Sequence, residues 1–136
     1  MSKTFLTVAI IGLLASSGAY AADKCDAART TDEISKCADG DLKVLDGALN
    51  KAYRDIERRL ADNHDAKGAL VAAERAWVHF RDSECKFSAA GVDGGSVYAS
   101  VVMQCTADMT AKRIADLRTY LHCEEGDLAC PVPAAD

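Results

Sequence analysis

The stretch Glu74-Arg75-Ala76-Trp77-Val78-His79-Phe80-Arg81-Asp82-Ser83-Glu84-Cys85, followed by the turn Gly94-Gly95-Ser96, decides the fold. A helix through it gathers Trp77, the only tryptophan, with Phe80, Cys85 and Ala73 near one face. Arg75, Arg81, Asp82 and Glu84 fall on the flanks. Gly94 and Gly95 stop that helix, and Ser96 is placed to cap the next one. Cys105 stands about as far beyond the turn as Cys85 stands before it. An antiparallel helical hairpin therefore brings the two sulfurs together.

Working outward toward the N-terminus, Thr30 and Glu33 have the spacing of a capping box. From there Ile34, Cys37, Leu42, Leu45, Leu49, Ala52, Tyr53, Ile56 and Leu60 recur at three- and four-residue steps, which predicts one long helix. Asp62-Asn63-His64-Asp65 ends it. A second helix is predicted from about 66 to 91 and a third from about 97 to 121. The expected fold is all-α: an antiparallel three-helix up-down-up bundle, stapled by disulfides. The tail 122–136 contains Pro131 and Pro133 and reads as irregular.

Residues 1–22 do not belong to this bundle. Lys3, the apolar run Phe5–Leu14 and Ala19-Tyr20-Ala21 read as a secretory signal peptide cleaved after Ala21 or Ala22. The run is too short to span a bilayer, so no stable membrane insertion is expected. The helical domain then covers 23–121, and the product is periplasmic or secreted. Loss of Lys3 moves the formal charge from −5 to −6, a poor match for nucleic acid and a better one for a cationic protein. Nothing in the pattern specifies an oligomeric state.

All six cysteines, Cys25, Cys37, Cys85, Cys105, Cys123 and Cys130, lie in the exported part. An even count in a small exported domain indicates three disulfides. The hairpin pairs Cys85 with Cys105, the short tail loop pairs Cys123 with Cys130, and Cys25 is left for Cys37. The spacing contains no Cys-x-x-Cys, and no His stands one turn from the helical cysteines, so no metal or other cofactor is expected. His64, His79 and His122 are scattered and lack a nucleophile motif, and oxidised cysteines offer no thiolate. The chain does not read as an enzyme.

Cys37-Ala38, Asp46, Leu49-Asn50, Tyr53, the 74–85 block, Gly94-Gly95-Ser96, Cys105, Met109-Thr110, Arg113 and Leu117 together resemble the lysozyme-inhibitor LprI-like N-terminal domain family. The resemblance spans about residues 25–121. It departs in having Glu74 where Gln is usual, and in adding the Cys123/Cys130 pair. It implies a helical, disulfide-bonded envelope protein that inhibits lysozyme by protein–protein contact; the alternative is an envelope interaction or assembly module with another partner. Asn50, Tyr53, Arg75, Trp77, Arg81, Asp82 and Arg113 carry the family pattern and read as scaffold. The expected contact surface is the turn Asp93, Gly94, Gly95 and Ser96, since loops on a rigid scaffold commonly carry function. The 62–65 loop and the tail acids Glu124, Glu125 and Asp127 are the other candidates.

Overall fold

The computed structural model describes residues 28–124 and 126–133; the expected signal peptide and Cys25 lie outside them. The described residues form three helices and no strand: α1 (Thr31–Arg59), α2 (His64–Ser88) and α3 (Tyr98–Leu121), with a 3-10 turn at Ala90–Val92.

Local chemistry sets the helix limits. Thr30 caps α1 by accepting the Glu33 amide, while the Glu33 carboxylate accepts the Thr30 amide, the reciprocal pattern that satisfies two otherwise unpaired N–H groups. Asn63 does the same work for α2, its side chain accepting from the Ala66 amide at 3.0 Å. The cap of α3 differs from expectation. It is Val97, with no side-chain hydrogen bond. The amides of Gly95 and Tyr98 donate to Val92 and Gly95 carbonyls respectively, so the turn runs through Ser96 and the helix opens later. Likewise α2 stops at Ser88 rather than near Gly91, and its last turn tightens into the 3-10 segment.

Named contacts give the topology. Ser35 meets Ser100 and Arg59 donates to the Leu121 carbonyl, so α1 and α3 run in the same direction. Glu74 meets Arg113 and Arg81 meets Thr110, so α2 runs against α3. The order is up-down-up.

The core lies mainly between α1 and α3. Leu49, Ala52, Ile56 and Leu60 pack with Ile114 and Leu117, while Leu70 and Trp77 of α2 close the side. At the other end Cys85 and Ala89 are buried, and Cys85 is bonded to Cys105 with their Cα atoms 5.5 Å apart. Cys123 is bonded to Cys130, with Cα atoms 5.7 Å apart, and Cys37 is also oxidised. That partly strapped tail reaches back into the protein: Val132 is only 3% exposed within the main core.

The rotation of α2 corrects the expectation that Phe80 shares a face with Cys85, and Phe87 turns outward with it. Phe80 is 57% exposed and Phe87 76%. At about 100° per residue they stand roughly 140° and 160° around the helix from Cys85. Cys85 is tied to α3, so both rings must turn outward. Trp77, only about 80° from Cys85, stays on the inner side.

Candidate functional site

Two regions contain the residues singled out in the sequence, and they differ in kind. The first lies between α2 and α3 around Trp77. The guanidinium carbon of Arg81 sits 5.2 Å from the Trp77 ring centroid and that of Arg113 5.9 Å. Both cations use the electron-rich ring face, an attraction that strengthens as water is excluded.

Each guanidinium is also held by a carboxylate. Arg113 Nε donates to Glu74 Oε1 at 2.8 Å, and its Nη2 contacts the same oxygen. Arg81 Nε donates to Asp82 Oδ1 at 3.0 Å, with Asp46 of α1 at 3.9 Å. Arg81 Nη1 further donates to the hydroxyl of Thr110 at 3.3 Å. Thr110 is fully buried and donates in turn to the Thr106 carbonyl at 2.7 Å, so its hydroxyl is satisfied in both directions.

This region joins three helices through polar groups. Asp46, Arg81 and Thr110 come from α1, α2 and α3 in turn. Tyr53 is half-buried against the core, and burial first, then the Glu57 carboxylate, pushes its phenol above the ordinary value of 10.0. Asn50 and Arg75 are exposed, Asn50 on α1 and Arg75 on α2. Asp108 accepts from Gln104 on its own helix at 3.1 Å and meets neither arginine among the contacts of this cluster.

Glu74 and Thr110 are the members the sequence reading did not assign to this cluster. The signal was present in the register. Counting back from Cys85 while counting forward from Cys105 brings 81 within one residue of 110; the same count sets 74 opposite 116, one helical turn from Arg113, whose long side chain spans the difference.

The second region is the hairpin turn. Asp93 Oδ1 accepts the Gly94 amide at 3.0 Å, and Asp93, Gly94, Gly95 and Ser96 are all exposed. Gly94 has φ +71°, where a side chain would be strained. At Gly95 an added Cβ would stand 3.0 Å from the Val92 carbonyl oxygen, tight enough to push the turn open. The turn therefore presents backbone and one acid to solvent in a fixed shape. The two regions lie apart along α2, so they do not form one pocket.

A cavity of about 210 Å³ opens near the other end, between Ile56, Leu60, Leu70, Tyr120 and Val132, with Arg113 on its wall. It is apolar and has no convergent set of acids or bases. Among the described residues no group of His, Cys, Asp and Glu could hold a metal ion. His64, His79 and His122 are exposed, and none belongs to such a group.

A family model described as lysozyme inhibitor LprI matches residues 21–117. An uncharacterized protein of Rhizobium meliloti (strain 1021) is 34% identical over 112 residues, covering 74% of this chain and 81% of that protein. No solved structure matches the chain. With helices α1 and α2 and most of α3 inside the matched region, the chain belongs to the LprI lysozyme-inhibitor family.

Proposed function

We propose that this protein is exported and inhibits a lysozyme by direct protein–protein contact, without catalysing a reaction itself. The family match over residues 21–117 carries this reading. The surface chemistry supports it. The exposed histidines are dispersed, the described cysteines are oxidised, and the polar cluster around Trp77 is spent on internal pairs rather than aimed into a cleft.

Export is supported by residues 1–22, with their short apolar run and small residues before the cleavage point, and by the disulfides, which persist in an oxidising compartment. No described helix is long and apolar enough to cross a membrane. In this reading the partner is engaged from the hairpin end, where Asp93–Ser96 form a rigid protruding turn. The net charge of −5 over the full chain favours approach to the strongly basic surface typical of lysozymes.

The test is lysis of a peptidoglycan suspension by purified lysozymes of several classes, with and without the protein. Inhibition that saturates near one-to-one stoichiometry supports the reading. Undiminished lysis by every class at micromolar protein overturns it and favours an envelope assembly role.

A further inference from the structure

Large apolar side chains stay exposed at Ile34, Val44, Val97, Val101 and Leu128, but the two exposed aromatic rings stand together on one side of α2. Phe80 and Phe87 are seven residues apart, two helical turns, and so share a face about 10 Å long. Ala76 continues that face toward the N-terminus of the helix and is also exposed, whereas Ala73 borders the cavity on the inner side. The remaining phenylalanine of the chain is Phe5, so both phenylalanines of the bundle face water. The Cys85–Cys105 bond fixes the rotation of α2 and denies them the core.

Exposed aromatic rings add nothing to folding, but each offers a large apolar area to a partner. Contiguous patches of this kind on a small protein mark contact surfaces, and rigid aromatics are the commonest anchors within them.

The rim indicates which partner. Glu84 is exposed between the two rings, about 40° around the helix from Phe80 and 60° from Phe87, and Asp93 stands beyond Phe87 at the hairpin end; Lys86 is on the flank, and Asp82 is on the far side, paired with Arg81. Arg81 is turned inward and already paired. An apolar centre with a mainly acidic rim complements a cationic protein.

Self-pairing is the weaker fit. The stripe from Ala76 to Phe87 is about 17 Å long and about 10 Å wide, so two copies would bury roughly 340 Å². A stable interface needs about 1,200 Å² or more. A partner that also covers the adjoining turn can reach that area.

We propose that the outer face of α2, anchored by Phe80 and Phe87, is the surface on which the basic lysozyme docks. This rests on the inhibitory reading above and extends its contact surface from the turn onto the helix. The rings enter apolar hollows of the lysozyme, while Glu84 and Asp93 meet basic groups at their edge.

The experiment compares Phe80→Ser, Phe87→Ser and the double variant with the parent, all expressed with their own export segment. Affinity for a basic c-type lysozyme is measured by calorimetry, thermal unfolding by circular dichroism, and self-association by ultracentrifugation. Each single variant should keep its melting temperature and bind at least about tenfold more weakly, and the double variant at least about a hundredfold. Leu128→Ser, a still more exposed apolar site on the tail, should bind as the parent does. A double variant that binds with parental affinity overturns this surface and leaves the inhibitory reading standing. A parent that forms no complex with this lysozyme overturns this surface as its docking site, while the inhibitory reading falls only if no class of lysozyme is inhibited. A large fall in melting temperature, or loss of a parental dimer in the double variant, also overturns it, because the face would then serve folding or self-pairing.

Discussion

Arg113 of α3 is clamped to Glu74 of α2 by two contacts to one carboxylate oxygen, with side chains only 14% and 13% exposed. The pair crosses the helix interface beside Trp77, whose ring also faces the Arg113 guanidinium. A buried ion pair contributes little net stability over an apolar replacement, because both charges lose water. Removing one partner is different, since it strands the other charge.

Glu74→Ala should therefore destabilise the fold by about 3 kcal/mol, the low end for a broken buried pair, since some solvent still reaches this one. Glu74→Gln, the residue usual in the resembling sequences, keeps an acceptor for the guanidinium and should cost about 1 kcal/mol. Urea unfolding of the two variants checks the order. Equal losses would show that the charge, not the hydrogen bond, holds the interface.

The limits of legibility follow from how local each signal is. Thr30 and Glu33 announce the start of α1 because a capping box needs only four residues. Cys85 and Cys105 announce the hairpin because a turn lies midway between them. The rotation of α2 is harder, since Trp77, Phe80 and Cys85 are separated by about 60° and 140° and do not form one stripe. The disulfide decides between the faces, and Phe80 loses. Val132 was illegible for another reason: its burial site exists only after α1, α2 and α3 have met, and two prolines around it suggest a loop and nothing more. The polar cluster is an intermediate case. Arg81 and Arg113 stand out as charged residues beside an interface, but their carboxylate and hydroxyl partners require the cross-helix register.

Gly47 lies in the middle of α1, exposed, with open space where a Cβ would be. The glycine loses more backbone freedom on folding than alanine does and gains no contact in return. Gly47→Ala should raise stability by about 0.5–1 kcal/mol, and Gly40→Ala, equally open, by a similar amount. The two sites are two turns apart and touch nothing in common, so the double variant should show the sum. Thermal melts of the three variants check this.

The pH dependence has two limbs. Amides of Arg29 and Thr30 hold Glu33 below its ordinary value of 4.5, and Lys51 with Arg58 hold Asp55 below 3.8. Carboxylates with depressed values in the fold contribute stability that is present above their unfolded values and is lost as pH falls through the folded ones. The melting temperature should hold above pH 5 and fall below about 4.5. Tyr53 has the opposite sign. Its raised value gives stability that is present below 10.0 and lost as pH rises beyond it. Glu33→Gln should flatten the acid limb and Tyr53→Phe the alkaline one, as read from melts at low ionic strength.

The tail beyond α3 lies outside the family-matched region, yet it completes the core. Val132 packs among Ile56, Leu60 and Leu117, and the Cys123–Cys130 bond shortens the path by which it returns. Two separable terms follow. Val132→Ala deletes two buried methyl groups beside an existing cavity and should cost about 1.5–2 kcal/mol. Replacing Cys123 and Cys130 together by Ser leaves the buried valine in place but frees the unfolded chain, and for a loop this short the entropy model gives about 2.5 kcal/mol. Their combination should fall short of additivity, because a tail released from its clip is already partly withdrawn from the groove. Urea unfolding of the single, double and triple variants measures the coupling. Strict additivity would mean that Val132 finds its place without help from the disulfide, and that the clip serves only the chain beyond the bundle.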